Sequence, residues 1–292
     1  MDAVVTYVNG QDPLWRQDYA GAVGGDILWK RFRDWGTLPF LLRGIEEYMP
    51  FVDRVVLVVS RDSQVPSWVS RDTVRVVLHE QFFPEGILPV FNSSAIDMFV
   101  HRIPGLSQRY IYFNDDMFPV APCTEEDFFP GGRPAIGFSR HLIAAGNFRR
   151  RVRNCDRLAR RAAGAGASLG YIRPQHVPSP MLREECEKLY SIVGEELVSK
   201  VSRLRSASNY NQYIYLDYMY FTGKALPRRL SNRHFSLAAS SMQGVCSFLR
   251  KPTEKFVCIN DVQMSEERFG RCRDLLLDTF RAVLPRPSRF EK

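Results

Sequence analysis

Residues 55–59 read Val-Val-Leu-Val-Val, a run with no polar position. Strand side chains alternate between the two faces of a sheet, so a run apolar at both parities needs cover on both sides. It reads as a strand central to a sheet, and its neighbours extend the pattern. Val4-Val5-Thr6-Tyr7-Val8 predicts a first strand, ending at Asn9-Gly10 and the turn-rich Gln11-Asp12-Pro13, and Val74-Arg75-Val76-Val77-Leu78 predicts another. Leu38, Leu41, Leu42, Ile45 and Met49 fall at helical spacing behind Thr37, which predicts a helix over 37–49. A further helix is expected from Ser93 or Ser94 through Ile96, Met98, Phe99 and His101, stopped by Pro104-Gly105. Strands alternating with helices over the first 120 residues are the pattern of an α/β domain.

A fourth strand is expected in residues 109–118, Arg-Tyr-Ile-Tyr-Phe-Asn-Asp-Asp-Met-Phe, which break off at Asn114, Asp115 and Asp116. The acids then sit at a strand's carboxyl end, where open α/β sheets bind ligands. Adjacent carboxylates repel, and burying them without a cation or strong donors is costly, so a divalent ion or a catalytic base explains them well. A turn whose side chains cap backbone donors is the other reading.

Beyond residue 120 the texture changes. A Pro- and Gly-rich loop at 130–134 leads to seven arginines within 149–161 and then to Gly164-Ala165-Gly166-Ala167-Ser168. The arginines read either as a solvated helix face before a flexible loop or as a patch facing anions or a membrane. Helices are expected over 182–201 and near 266–284, and the six aromatics of 210–221 read as helix core. The expected organisation is an α/β core over 1–120 and a mostly helical part over 121–292 that completes one catalytic unit.

The six cysteines form no CxxC pair and no Cys/His cluster, which argues against a zinc ribbon and for reduced thiols. No run of 18 apolar residues is present, and Met1-Asp2-Ala3-Val4-Val5 lacks the features of a secretory signal, so the expected residence is cytoplasmic. The net charge of +8 would attract anions without choosing among nucleotides, nucleic acid and acidic lipid.

Four clusters stand apart from core patterning. Thr6, Tyr7, Asn9 and Gly10 lead into Gln11-Asp12-Pro13 after the first strand, where α/β enzymes commonly hold a nucleotide, although Asn-Gly and Asp-Pro are also routine turn formers. Arg31, Arg33 and Asp34 precede a helix, and two guanidiniums there could grip a pyrophosphate. Asn114, Asp115 and Asp116 join the upstream Asn92, Ser93, His101 and Arg102, with His101 also open to a purely structural role. His176, Arg205 and, downstream, Cys258-Ile259-Asn260-Asp261 make the fourth, and only convergence in space would give them one meaning.

In order, these pieces resemble the Stealth family of sugar-phosphate transferases, which includes bacterial capsular polysaccharide phosphotransferases and the catalytic subunit of the animal lysosomal-enzyme GlcNAc-1-phosphotransferase. The matching blocks are Asp2 to Gly10 with Asp12, Pro13 and Trp15; Arg31-Phe32-Arg33-Asp34 through Pro66-Ser67-Trp68, His79-Glu80, Phe82-Phe83-Pro84 and His101-Arg102-Ile103-Pro104-Gly105-Leu106 to Asn114-Asp115-Asp116; His176-Val177-Pro178 through Arg205 to Asn209; and Cys258-Ile259-Asn260-Asp261. Tyr7 stands where many relatives have Trp, and Ser94 where several have Asn; residues 121–170 match no block.

The resemblance implies a Rossmann-like (GT-A-like), mostly parallel sheet with a largely helical second half. It implies transfer of an intact sugar-1-phosphate from a nucleotide sugar, UDP-linked by analogy, to a hydroxyl of a glycan or polysaccharide acceptor, with release of UMP. Asp115 and Asp116, with Asp261, would hold Mg²⁺ or Mn²⁺, or one acid would act as base. His176 would move a proton or orient the acceptor, and Arg33 and Arg205 would contact phosphate. Asn9 and Gly10 would seat the nucleotide, Asn260 and Asp261 would close the site, and Asn209 would join the binding residues. Capsular or cell-surface polysaccharide synthesis is the expected setting, with peripheral attachment at the inner membrane face as an elaboration. No nucleic-acid partner is expected, and the oligomeric state is left open. Competing readings are a glycosyltransferase of similar fold that attacks the anomeric carbon and releases UDP, and a basic module that binds polyanions.

Overall fold

In the computed structural model, which describes residues 1–23 and 31–292, the run 55–59 lies in the second strand of a five-stranded sheet. The first part of the chain contributes β1 (Asp2–Thr6), α1 (Pro13–Ala22), α2 (Leu38–Tyr48), β2 (Arg54–Val59), β3 (Val74–Leu78), α3 (Ser93–Phe99), β4 (Arg109–Asn114) and β5 (Met117–Pro119). The remainder adds α4 (Glu125–Phe128), β6 (Phe138–His141), α5 (Gly146–Ala162), β7 (Tyr171–Pro174), β8 (Ser179–Leu182), α6 (Arg183–Ser199), α7 (Tyr213–Phe221), β9 (Asn232–Ser236), α8 (Met242–Arg250), β10 (Phe256–Asn260) and α9 (Glu266–Val283).

The main sheet runs β3-β2-β1-β4-β8, parallel except for β8, which pairs antiparallel with β4. Parity divides its side chains as the sequence requires. Ala3, Val5, Val55, Leu57, Val59, Ile111 and Phe113 pack with residues of α2, α8 and α9 in one core. Val4, Val56, Val58, Tyr110 and Tyr112 pack with α3, α5, α6 and α7 in the other. Each fully buried aliphatic side chain here contributes roughly 1.5–3 kcal/mol, which is why a two-faced strand anchors the fold.

A second sheet, β5-β10-β9, and the hairpin β6-β7 complete the architecture. The border at residue 120 does not separate two sheets: β8 closes the first, and β5 pairs with β10 in the second. The later half is rich in helix, as expected, but supplies five of the strands as well. Three local differences have clear causes. β1 stops at Thr6, two residues early, and Tyr7 turns away while its amide still donates to the Val58 carbonyl at 3.0 Å. α3 ends at Phe99, and His101 falls in the single 3₁₀ turn that follows. Asp12-Pro13, expected as a turn, starts α1: Asp12 Oδ1 accepts from the amides of Leu14 (2.8 Å) and Trp15 (3.1 Å), with Pro13 pre-set in the first turn.

All six cysteines are free and buried. Among the described residues no helix is long and apolar enough to cross a membrane.

Candidate active site

A cleft of about 830 Å³ opens at the carboxyl ends of β1 and β4, where Thr6 lies opposite Asn114 in the ladder. β4 belongs to the main sheet and β5 to the second, so the two-residue turn between them, Asp115-Asp116, bridges the sheets. Its backbone is fixed from the far side by the Ile259 amide, which donates to the Asp116 carbonyl at 3.0 Å.

Asp116 Oδ2 stands 3.6 Å from His176 Nε2, and the Cys258 thiol donates to the same oxygen at 3.4 Å. Burial alone would raise this carboxyl, but His176, Cys258 and His234 together hold it below its ordinary value. Asp115 behaves in the opposite way. Burial, with Asp116 and Asp34 as neighbouring carboxylates, pushes it up to about 7. Asp34 is held by the Tyr7 hydroxyl (2.9 Å) and the Gly36 amide (2.8 Å). Beneath, the Tyr112 hydroxyl lies 3.1 Å from Asn114 Oδ1 and donates to buried Asp97, whose pKa burial raises to about 6.

Guanidiniums face these acids. Arg205 donates to Ser93 Oγ, and Asn92 caps α3 while its amide group bonds Asn209 Oδ1 at 2.9 Å. Arg33 is almost fully buried, stacks 4.4 Å over the Phe269 ring and reaches Glu266 at 3.3 Å. Arg31, Arg173 and Arg229 line the same space. Asp261 closes the wall from the second half; burial raises its pKa against the opposing pull of Trp35 and Arg33.

Two donor sets bear on a metal. Asp116, His176 and Cys258 each place one ligand atom within 4.8 Å of the others. Burial and the adjacent Asp116 push the Cys258 thiol well above its usual value, so it stays protonated and serves as a hydrogen-bond donor. Hard cations prefer oxygen, and Asp116 Oδ1 is buried with no hydrogen-bond partner among the described residues, beside the crowded Asp115. The pair therefore fits a divalent cation held by carboxylates.

The cleft gathers Thr6, Tyr7, Arg31, Arg33, Asp34, Asn92, Ser93, Asn114, Asp115, Asp116, His176, Arg205, Asn260 and Asp261. Five expected site residues lie outside its lining. Asn9 exchanges hydrogen bonds with Gln64 (2.7 and 3.1 Å), and Gly10 lies so close to Phe32 that a Cβ would stand 2.4 Å from its carbonyl oxygen. Both shape the loop behind the cleft. His101 is buried between Tyr190 and Tyr215, Arg102 donates to the Tyr190 hydroxyl at 2.9 Å, and Asn209 ties down the loop that carries Arg205 through Ser206 (2.7 Å) and Lys200 (2.7 Å). Conversely, Arg173, Gln175, Arg229 and His234 line the cleft and were not anticipated. His234, 6.4 Å from the His176 ring, has its pKa lowered by burial and by the neighbouring His176 and Arg173. Arg173 was within reach of sequence reasoning, three residues before His176; His234 sits on a short polar strand with no motif around it.

Residues 31–134 match the Stealth protein CR2, conserved region 2, and residues 247–292 the Stealth protein CR4, conserved region 4, together just over half the chain. The chain belongs to the Stealth family. The two Stealth regions carry Arg31, Arg33, Asp34, the Asp115-Asp116 turn, Asn260 and Asp261; Thr6, Tyr7, His176 and Arg205 come from outside them and meet them in the cleft. Similar proteins include a capsular polysaccharide phosphotransferase of Streptococcus pneumoniae, 29% identical over all of this chain and 99% of its own length. An exopolysaccharide phosphotransferase of Lactiplantibacillus plantarum is 28% identical over all of this chain and 96% of its own. One of Streptomyces coelicolor is 32% identical over all of this chain but only 52% of its own. Among solved structures a galactosyltransferase, LgtC, aligns over 94% of this chain and 95% of its own at 12% identity and a TM-score of 0.47, a likeness too distant to argue from.

Proposed function

We propose that this Stealth protein transfers an intact sugar-1-phosphate from a nucleotide sugar, UDP-linked, to a hydroxyl of a glycan acceptor in capsular or cell-surface polysaccharide synthesis. The acceptor oxygen forms a bond to the β-phosphorus, the bond from that phosphorus to the bridging oxygen breaks, and UMP leaves. The observation that carries this reading is the single cleft in which the Asp116–His176 pair and Asp115 face several arginines.

Phosphoryl transfer needs in-line positioning, charge neutralisation and removal of the acceptor's proton. His176 takes that proton at Nδ1, while Asp116, held ionised, faces Nε2 and orients the ring. Arg205, fixed by Ser93, and Arg31 and Arg33 grip phosphate oxygens with planar forks. Asp115 and Asp116 would hold Mg²⁺ or Mn²⁺, which when bound neutralises pyrophosphate charge. Tyr7 and Asp34 brace one wall, and Asn260 and Asp261 close the other.

Incubation with a panel of nucleotide sugars and a soluble oligosaccharide acceptor, with Mg²⁺ or EDTA, tests this. UMP release with a phosphodiester product is expected. UDP release would replace it with attack at the anomeric carbon.

A further inference from the structure

The β6–β7 hairpin and the helix between its strands hold most of what the proposed chemistry leaves unused. His141 pairs with Tyr171, and just beyond this last pair stand Leu142, Ile143 and Leu169, 72%, 74% and 90% exposed. Single exposed aliphatics are ordinary on protein surfaces, but three at one hairpin end form a patch. The tip is held in shape: the Tyr171 hydroxyl donates to the Ile143 carbonyl at 3.1 Å, and Leu142 Cδ2 lies 3.4 Å from where a Cβ on Gly170 would be.

The segment that carries this tip is charged almost entirely with one sign. Residues 129–183 contain eleven arginines and a single acid, Asp156, which is buried and paired with Arg160. Arg149, Arg150 and Arg157 of α5 are exposed and take part in no ion pair among the described residues. The helix's other face, Val152, Cys155, Leu158 and Ala159, is buried in the core shared with α7.

We infer that the hairpin tip and the exposed arginines of α5 form a docking surface for an anionic lipid bilayer. Aliphatic side chains that enter the acyl boundary and guanidiniums that stay among headgroups are the two components such a surface needs. A polyanion such as nucleic acid would use the arginines but gives the aliphatics no role. Three aliphatic side chains at a hairpin end fall well short of the roughly 800 Å² per partner that a stable protein interface buries. The docking stands without the proposed reaction. If that reaction holds, docking has a consequence: Ser139 on β6 and Arg173 on β7 line the cleft, and Leu142 follows Ser139 by three residues, about 10 Å of strand, so a docked molecule presents its cleft to an acceptor carried at the membrane.

The test is co-sedimentation of the whole protein with vesicles of phosphatidylcholine alone or mixed with 30 mol% phosphatidylglycerol. Binding to the anionic vesicles is expected, weakened by high salt and at least tenfold weaker for Arg149→Glu/Arg150→Glu. Leu142→Ser/Ile143→Ser/Leu169→Ser should lose several-fold in vesicle binding with an unchanged melting temperature and unchanged nucleotide-sugar turnover on a soluble acceptor. The surface is wrongly assigned if the protein ignores anionic vesicles, if both variants bind them like the parent, or if the tip substitutions instead dissolve a dimer seen by analytical ultracentrifugation. Vesicle binding can fail while UMP release succeeds, and the reverse, so the two readings are judged separately.

Discussion

The contact between His176 and Asp116 asks most of individual side chains, because a base must be held in the orientation that lets it reach the acceptor's proton. Loss of one such contact costs on the order of 3 kcal/mol, about a hundredfold in rate. His176→Ala and Asp116→Asn should each lower UMP release at least that much while keeping a cooperative melt at the parent's temperature. Near-parental turnover in either would remove that residue from the mechanism. Asp115 gives a second outcome, in pH. Its folded-state pKa is raised to about 7, so the folded protein binds this proton more tightly than the unfolded chain between its ordinary value and about 7. Stability from this group is therefore highest at low pH and falls as pH rises through that window. A bound divalent cation competes with the proton, so Mg²⁺ or Mn²⁺ should raise the melting temperature more at pH 8 than at pH 5.5. Asp115→Asn should flatten that difference.

Among the elements, α7 carries a comparable burden without a visible partner. Asp217 is fully buried on it, and neither carboxylate oxygen has a hydrogen-bond partner among the described residues. Burial and the nearby Asp156 raise it well above the ordinary value, so again stability declines as pH rises above the carboxylate range. Asp217→Asn, which cannot ionise, should raise the melting temperature at pH 8 and change it less at pH 5. Elements differ as well in how openly the sequence announced them. β2 was legible because its five apolar residues leave no other placement, and α9 because Phe269, Cys272, Leu276 and Phe280 recur at helical spacing. β6 (Phe-Ser-Arg-His) and β9 (Asn-Arg-His-Phe-Ser) were not, since strands this short and polar are set by pairing rather than by pattern. α1 hid behind Asp12-Pro13, a pair that serves a turn and a helix start equally well. The same logic divides the site. Residues beside motifs were found, whereas His234 reached the cleft only because β9 docks on β10, which no local signal reports.

Across the whole molecule, the last residues close back on the first half. Glu291 receives two bonds from Arg43, at 2.8 and 2.7 Å, pairs with Val69, and is followed by the Lys292 amide donating to the Trp68 carbonyl at 2.8 Å. Burial opposes the charge on Glu291, but Arg43 and Ser288 hold its pKa below the ordinary value. Its contribution is thus complete above the unfolded-state value of 4.5 and fades as pH falls through the folded one. Glu291→Gln should destabilise by about 2 kcal/mol at pH 7, less than the roughly 3–5 kcal/mol for a fully buried pair because both groups still touch water. The deficit should shrink in urea melts at pH 4. The Asp115-Asp116 turn draws on this same long-range closure. It is held between two hydrogen-bonded ladders, one made by β4 with β1 and the other by β5 with β10 of the later half. The Ile259 amide, which donates to the Asp116 carbonyl, should therefore exchange with solvent as slowly as those of the strands around it. The donor would then meet carboxylates whose backbone was already fixed during folding, with only side chains and cation left to order.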